Sequence, residues 1–254
     1  MIKRAMRAVS RFIAPVLPPE RVVSGLWNYP RFISEWRRYG QLSGAEPLHL
    51  VDAMPQLHDR TSSSTIDAHY FFVNGWAMRR IVAQQPAEHM DIGSQTMFVN
   101  LLSAVLPVTF VDYRPLQQSL PGLTNRGGDI LQLPLPTGTI HSLSCLHVAE
   151  HIGLGRYGDA LNPHGTQQAC AELQRILAPG GMLYFALPVG KPRVCFNAHR
   201  IHAPQTILDY FGELELVEFS GVDDAGRYLD KVEPATLAPS RYACGLFMFH
   251  KPRA

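Results

Sequence analysis

The sequence predicts an α/β domain with a mostly parallel sheet, preceded by a helical N-terminal extension. Three observations carry this. From Glu88 onward, short apolar runs alternate with segments of helical period. Two of those runs stop at small or acidic residues, Asp91-Ile92-Gly93-Ser94 and Val111-Asp112. The composition, 46% hydrophobic and 17% charged, is that of a folded globular chain and not of a disordered one. A length of 254 residues allows one full α/β domain, taken as 86–254, and a helical extension or cap over 1–85.

In the extension, Met6, Val9 and Ile13 recur near helical spacing, with Lys3, Arg4, Arg7 and Arg11 on other faces. Pro15, Pro18 and Pro19 end that helix. A second helix is expected over 30–39, with Phe32, Ile33 and Trp36 on one side and Arg37 and Arg38 on another. Two readings stay open for this basic, amphipathic region: a surface for anionic lipid, or a cap packed on the core with solvated charges. The hydroxyl-rich run 61–65 reads as a turn and N-cap for a helix over 70–83.

In the domain proper, strands are expected over 90–92, 108–111, 140–147 and 182–187, with helices over 98–106, 167–177 and 203–211. Pro179-Gly180-Gly181 reads as a turn. Runs 214–219 and 242–250 lack an intervening helical pattern, which suits a terminal antiparallel pair.

Several classes are disfavoured. A net charge of +2 argues against a strong pull on nucleic acid. Cys145, Cys170, Cys195 and Cys244 form no close pair, and no local His/Cys spacing matches a metal site, so no protein-bound metal is expected. No apolar run is long enough to span a bilayer, and the apolar stretch near the start is broken by Pro15, against a cleaved signal peptide. The expected location is the cytoplasm, with peripheral contact at the inner membrane face as an open alternative through the basic N-terminus. Oligomeric state is not legible.

Ligands of doubly wound sheets bind outside the carboxyl ends of the strands. Gly93 at such an end lets a ligand approach the backbone closely, and the next helix offers free N–H groups. Asp112 ends the following strand, where a carboxylate can accept from a ribose diol. Gly128-Asp129-Ile130 supplies a third acidic position, and Glu172 to Gly181 reads as helix, glycine turn and strand. Together these resemble the class I S-adenosylmethionine-dependent methyltransferases. The resemblance implies a Rossmann-like, mostly parallel seven-stranded sheet. It places Gly93 and Asp91 at the methionine end of the cofactor, Asp112 at its ribose and Asp129 beside its adenine. Ser94, Ile130 and His147 complete the expected cofactor-binding set, although His147, ending an apolar strand, also reads as a core histidine. The departure is in the first loop, where Ser94, Gln95 and Thr96 stand where that family commonly has further glycines. A nicotinamide-binding domain would require a fuller glycine loop than this one.

A second constellation runs from Glu150 through His151, Gly153, Gly155, Arg156, Tyr157 and Gly158 to Asp159, after the strand over 140–147. Glycine costs chain entropy and polar groups need partners, so this loop is expensive as mere scaffold. Pro188-Val189-Gly190 leads to Phe196-Asn197 and on to His199-Arg200. These two runs closely resemble domain of unknown function 268, a family of the same superfold linked to bacterial surface-polysaccharide synthesis, which implies a sugar or glycolipid acceptor. Read as chemistry, His151 or His199 can take a proton from an acceptor hydroxyl. Arg156 or Arg200 can clamp a phosphate or carboxylate, Asp159 can hold a sugar hydroxyl or orient a histidine, and Tyr157 can stack on a sugar. A purely structural alternative pairs Arg156 with Asp159 inside the loop, with Tyr157 packed beneath. The expected activity is methyl transfer from S-adenosylmethionine to a sugar, glycolipid or related small acceptor. The alternative is a binding protein on the same fold that has lost cofactor use, with Gln95 or Thr96 filling the pocket.

Overall fold

The computed structural model describes residues 18–253 together with Pro15. The helix expected over 6–13, with its basic residues, lies outside the described residues. The chain divides between Ile66 and Asp67 into two compact units.

In the first unit, α1 (Pro19–Tyr39) begins with proline at its first turn, where a missing N–H costs nothing, and runs through Pro30. The second helix therefore starts eleven residues before Pro30, a residue read from sequence as a helix start. Asn28 Nδ2 donates to the Leu57 carbonyl at 2.8 Å and ties α1 to the following segment. No described helix is long and apolar enough to cross a membrane.

The second unit opens with α2 (Ala68–Gln84), capped by the Asp67 carboxylate, which accepts from Tyr70 N, and not by the hydroxyls of 61–65. Val73, Trp76, Ala77 and Ile81 of α2 are fully buried. Arg80 pairs with Glu218 at 2.6 Å. The helix thus packs with the sheet and belongs to the second of the two compact units.

There follow β1 (His89–Ile92), α3 (Thr96–Ser103), β2 (Val108–Asp112), β3 (Leu123–Gly127), β4 (Ile140–Leu146), α4 (Gly165–Ile176) and β5 (Leu177–Val189). The chain then forms a small hairpin, β6 (Arg193–Cys195) with β7 (His199–Ile201), and α5 (Pro204–Tyr210). It ends with β8 (Glu215–Val222), β9 (Tyr228–Leu229) and β10 (Ala243–His250). The main sheet has the order β3-β2-β1-β4-β5-β10-β8-β9. Its first five strands are parallel, and β10 runs antiparallel to both β5 and β8, as the terminal pair predicted.

The sheet has eight strands where seven were expected. The extra one, β9, is a two-residue edge strand too short to leave a periodic signal. Edge strand β3, Leu-Thr-Asn-Arg-Gly, is mostly exposed and was equally silent. Pro179-Gly180-Gly181 is not a turn but an irregular part of β5, with Gly180 at φ +79° and a register shift against β4.

Alternation along the central strands makes two cores. Leu183, Phe185, Leu187, Phe247 and Phe249 face α4 and α5, meeting Leu173, Ile176 and Ile207. Tyr184, Ala186, Leu246 and Met248 face the other way, against Trp76, Ile81, Phe98 and Leu102 of α2 and α3. The result is a three-layer α/β unit whose parallel strand ends all open at one edge.

Between β1 and β4 the core is polar. His89 Nδ1 lies 2.7 Å from Ser142 Oγ and its Nε2 2.8 Å from Ser144 Oγ, while Ser144 Oγ donates to Asp91. The other Asp91 oxygen accepts from Ser94 N at 2.9 Å, and Ser94 Oγ accepts from Leu146 N at 2.9 Å. Burial pushes the His89 imidazole down to about 3. Burial also pushes the Asp91 carboxyl up to about 6, overcoming the hydrogen bonds that favour its ion.

The two groups act on stability with opposite sign. His89 binds a proton more readily in the unfolded chain, so its contribution is full above 6.5 and is lost as pH falls toward 3. Asp91 binds its proton more tightly in the folded chain, so its contribution is full below 3.8 and is lost as pH rises through about 6. Thermal unfolding between pH 4 and 6 tests this. Asp91→Asn should steepen the rise of the midpoint with pH and His89→Gln should flatten it, whereas parallel profiles would contradict the assignment.

Candidate functional site

A cavity of ≈ 270 Å³ lies at the carboxyl ends of β1, β2 and β4. That is close to the lower end of small-molecule pockets, about 300–1,000 Å³. Ile92, Val111, Ile130, Leu131, Val148 and Ile152 form its apolar walls.

Gly93 follows β1 with φ +68°. A Cβ there would stand 3.1 Å from Val148 Cγ1 and 3.6 Å from Asp112 Oδ2, so any side chain would enter the cavity edge. Asp112 ends β2 and accepts from Arg114 N through Oδ1 at 2.7 Å, leaving Oδ2 toward Gly93. Asp129 likewise anchors its own turn through Leu131 N at 2.9 Å and lines the cavity with Ile130. At Gly128 a Cβ would lie 2.6 Å from Val111 Cγ1, which explains the glycine there.

Gly93, Asp112, Asp129, Ile130 and His147 of the expected cofactor set therefore converge on one cavity. Asp91 and Ser94 do not. Both are buried beneath it and hold β1 to β4 through the bonds described above. Gln95 and Thr96 also lie outside the lining, and Gln95 Oε1 accepts from Asn74 on α2 at 2.7 Å.

On the opposite wall, the loop from His151 to Asn162 is organised by Asp159. Its carboxylate accepts from Gly153 N at 2.7 Å, Tyr157 N at 3.2 Å and Gly155 N at 3.4 Å. Burial alone would raise its pKa, but these amides outweigh burial and hold it below the usual carboxylate range. Arg200, buried on β7, donates to the carbonyls of Ile152 and Asn162 and joins the loop's two ends. Asn162 and Ile152 line the cavity, whereas Arg200 does not. The expected acceptor clamp at Arg200 is thus a loop brace.

The structural alternative that paired Arg156 with Asp159 is not what the loop forms. Arg156 Nη1 donates to the Ala198 carbonyl at 3.1 Å and its guanidinium sits 5.1 Å from the Tyr157 ring centre. Arg114 lies over the same ring at 4.4 Å, so Tyr157 lines the cavity with two guanidiniums packed against its ring. Arg114 lines the cavity and makes no ion pair among the described residues. Sequence reading missed it. Its only signal was a position two residues past Asp112.

His151 lines the cavity; its Nδ1 donates to the Ala198 carbonyl, and its Nε2 lies 3.7 Å from Glu150 Oε1. His199 lies outside the lining and stacks on Tyr242 at 5.1 Å, with burial lowering its pKa. His147 lines the cavity with its backbone at φ +58° and bonds Glu150 Oε1 at 3.0 Å. Burial opposes the charge on both. Cys244 first, and Glu150 after it, nonetheless hold His147 well above its usual range, while His147 holds Glu150 below its own.

Residues 129–233 match the family model described as Caenorhabditis protein of unknown function, domain of unknown function 268. No curated protein matches the chain. Among solved structures, the [4+2]-cyclase SpnF is similar at 15% identity, with a TM-score of 0.54 over 72% of this chain and 81% of that one. A putative methyltransferase bound to the Trm112 activator of Haloferax volcanii is similar at 15% identity and TM-score 0.52, over 74% and 91%. The N-methyltransferase NodS of Bradyrhizobium japonicum WM9, solved with S-adenosyl-l-homocysteine, is similar at 16% identity and TM-score 0.51, over 73% and 88%. Residues 129–233 thus carry the signature of domain of unknown function 268, and the sheet that holds them has the class I methyltransferase fold.

Proposed function

We propose that the protein transfers a methyl group from S-adenosylmethionine to a hydroxyl of a small anionic acceptor, such as a phosphorylated sugar or a glycolipid of surface-polysaccharide synthesis. The observation that carries this reading is the meeting of Gly93, Asp112 and Asp129 in one cavity that Gln95 and Thr96 leave open. The residues present fit the cofactor. Asp112 Oδ2 is a ready acceptor for ribose hydroxyls, Gly93 leaves room at the methionine end, and Ile130 and Leu131 give an apolar surface for adenine beside Asp129. The bound cofactor would supply an activated methyl group, so the protein's task is largely positioning.

His151 lines the cavity, and its Nε2, 3.7 Å from Glu150 Oε1, is the nitrogen that would take the acceptor's hydroxyl proton, the carboxylate favouring the resulting cation. Arg114, an unpaired cation at the same cavity, favours an acceptor bearing phosphate or carboxylate. The apolar walls at Val111, Val148 and Ile152 keep water from the reacting atoms. The reading without cofactor use is disfavoured because its expected plug, Gln95, bonds to Asn74 instead. Peripheral attachment to an anionic membrane belongs to the same proposal. Helix α1 exposes Val23, Leu26 and Trp27 alongside Arg37 and Arg38 in its last turn.

Calorimetric titration with S-adenosylmethionine should show saturable binding at one site. Asp112→Ala should weaken it about 10–100-fold, the value of one charge-assisted hydrogen bond of about 1.5–3 kcal/mol. No heat of binding at millimolar ligand would sink the cofactor assignment. With labelled cofactor, sugar phosphates should become methylated in preference to neutral sugars. Arg114→Gln should raise KM for them by about tenfold or more with kcat little changed. Labelling of neutral sugars alone would contradict the role of Arg114. Flotation with phosphatidylserine vesicles should be stronger for the full chain than for a chain lacking residues 1–40, and equal flotation would remove the membrane contact.

A further inference from the structure

Three ligating side chains from distant parts of the second unit meet below the cavity: His69 in the first turn of α2, His147 at the end of β4 and Cys244 in β10. Their donor atoms all lie within 4.8 Å of one another, and His147 Nε2 stands 3.3 Å from Cys244 Sγ. We propose that His69, His147 and Cys244 form a binding site for a divalent transition-metal ion, zinc being the best chemical match, with Glu150 orienting His147.

The donor set is the first argument. Two imidazole nitrogens and one thiolate suit a borderline-soft ion, and a catalytic-type zinc site uses three protein ligands with a fourth position left for water or a substrate atom. Zn–S near 2.3 Å and Zn–N near 2.0–2.1 Å imply tetrahedral ligand separations of roughly 3.3–3.7 Å. The His147–Cys244 pair already has such a separation, and His69 needs only a small side-chain adjustment.

The surroundings are the second argument. His147 Nδ1 bonds Glu150 Oε1 at 3.0 Å, which turns Nε2 toward Cys244. A carboxylate behind the remote imidazole nitrogen is the usual support of a metal-binding histidine. The other carboxylate oxygen, Glu150 Oε2, is buried and has no hydrogen-bond partner. His147 holds φ +58°, a left-handed conformation unfavourable for a residue with a Cβ, and such outliers collect at functional sites. His69 stacks on His147 at 5.6 Å and on Tyr242 at 4.9 Å, so its ring is held in place before any ion arrives.

A Cys244–His147–Glu150 thiol triad would use the same contacts without His69. Cys244 has no exposed surface, however, and a nucleophile must be reached by its substrate. The convergence of His69 adds a third ligand for which the triad has no use. The expectation of no metal rested on local spacing, and ligands this far apart in the chain leave no such trace.

Cobalt(II) titration of the chelator-stripped full chain tests the site, independently of any S-adenosylmethionine binding. One equivalent should give a thiolate-to-cobalt charge-transfer band and intense visible bands of four-coordinate Co²⁺, both abolished by Zn²⁺. Cys244→Ser should lose the charge-transfer band, while Cys170→Ser, at a buried cysteine outside the cluster, should keep it. Glu150→Gln should lower affinity about 10–100-fold, and His69→Ala by at least about tenfold. Thermal melts establish that each variant is folded. If Cys244→Ser is not, His69→Ala, at a partly exposed position, carries the test alone. No saturable spectrum, an unchanged spectrum in Cys244→Ser, or undiminished affinity in a folded His69→Ala would overturn the site. So would alkylation of Cys244 by iodoacetamide faster than in the denatured chain and unaffected by Zn²⁺, which would indicate the thiol triad.

Discussion

The buried polar row between β1 and β4 is the constraint on which the site depends. Ser142, His89, Ser144 and Asp91 form a continuous row that ends on Ser94 N, and Ser94 Oγ returns to Leu146 N. Parallel strands held only by apolar contacts can tolerate small shifts, but a row of directional bonds inside the core cannot slip without leaving polar groups unsatisfied. Gly93 lies between Asp91 and Ser94, and His147 directly follows Leu146. The row therefore sets the separation of the two strand ends that face each other across the cavity. The Asp91 and Ser94 of the sequence signature shape the cavity through this geometry and do not line it.

The second wall uses charge differently. Asp159 gathers the amides of a glycine-rich turn, and Arg200 closes the loop by bridging Ile152 and Asn162. The left-handed backbone at Gly153 permits this, since a Cβ there would fall 2.1 Å from the Asn162 carbonyl oxygen. Much of the loop's unusual polarity is thus the means of holding a tight loop over a cavity. What remains directed inward is His151, the Asn162 and Tyr157 edge, and Arg114 from across the sheet edge. The anionic acceptor we propose rests on Arg114, a residue the loop motif does not contain.

The extent of what could be read from sequence follows the physics of each element. Strands buried on both faces, such as β4 and β10, announced themselves as apolar runs, and the cofactor-side acids were legible because strand-end chemistry is local. β3 and β9 were silent because an exposed or two-residue edge strand carries no hydrophobic period. Helix α2 was seen but its packing on the sheet was not, since amphipathic spacing gives a buried face without naming its partner. Asp91, Ser94 and Arg200 were credited with ligand contact because a motif identifies residue types and not the direction in which side chains point. The grouping of His69, His147 and Cys244 depends wholly on folding.

Fold alone leaves the chemistry open, since the neighbours of this sheet include a [4+2]-cyclase as well as methyltransferases. The case for methyl transfer rests on the strand-end cavity being the cofactor site. Amide hydrogen exchange with and without S-adenosylhomocysteine tests that most directly. Protection should appear together at residues 92–95, 112–114 and 128–131, which are distant in sequence and meet at the cavity. Protection confined to the first unit, or no change at these three segments, would contradict the account.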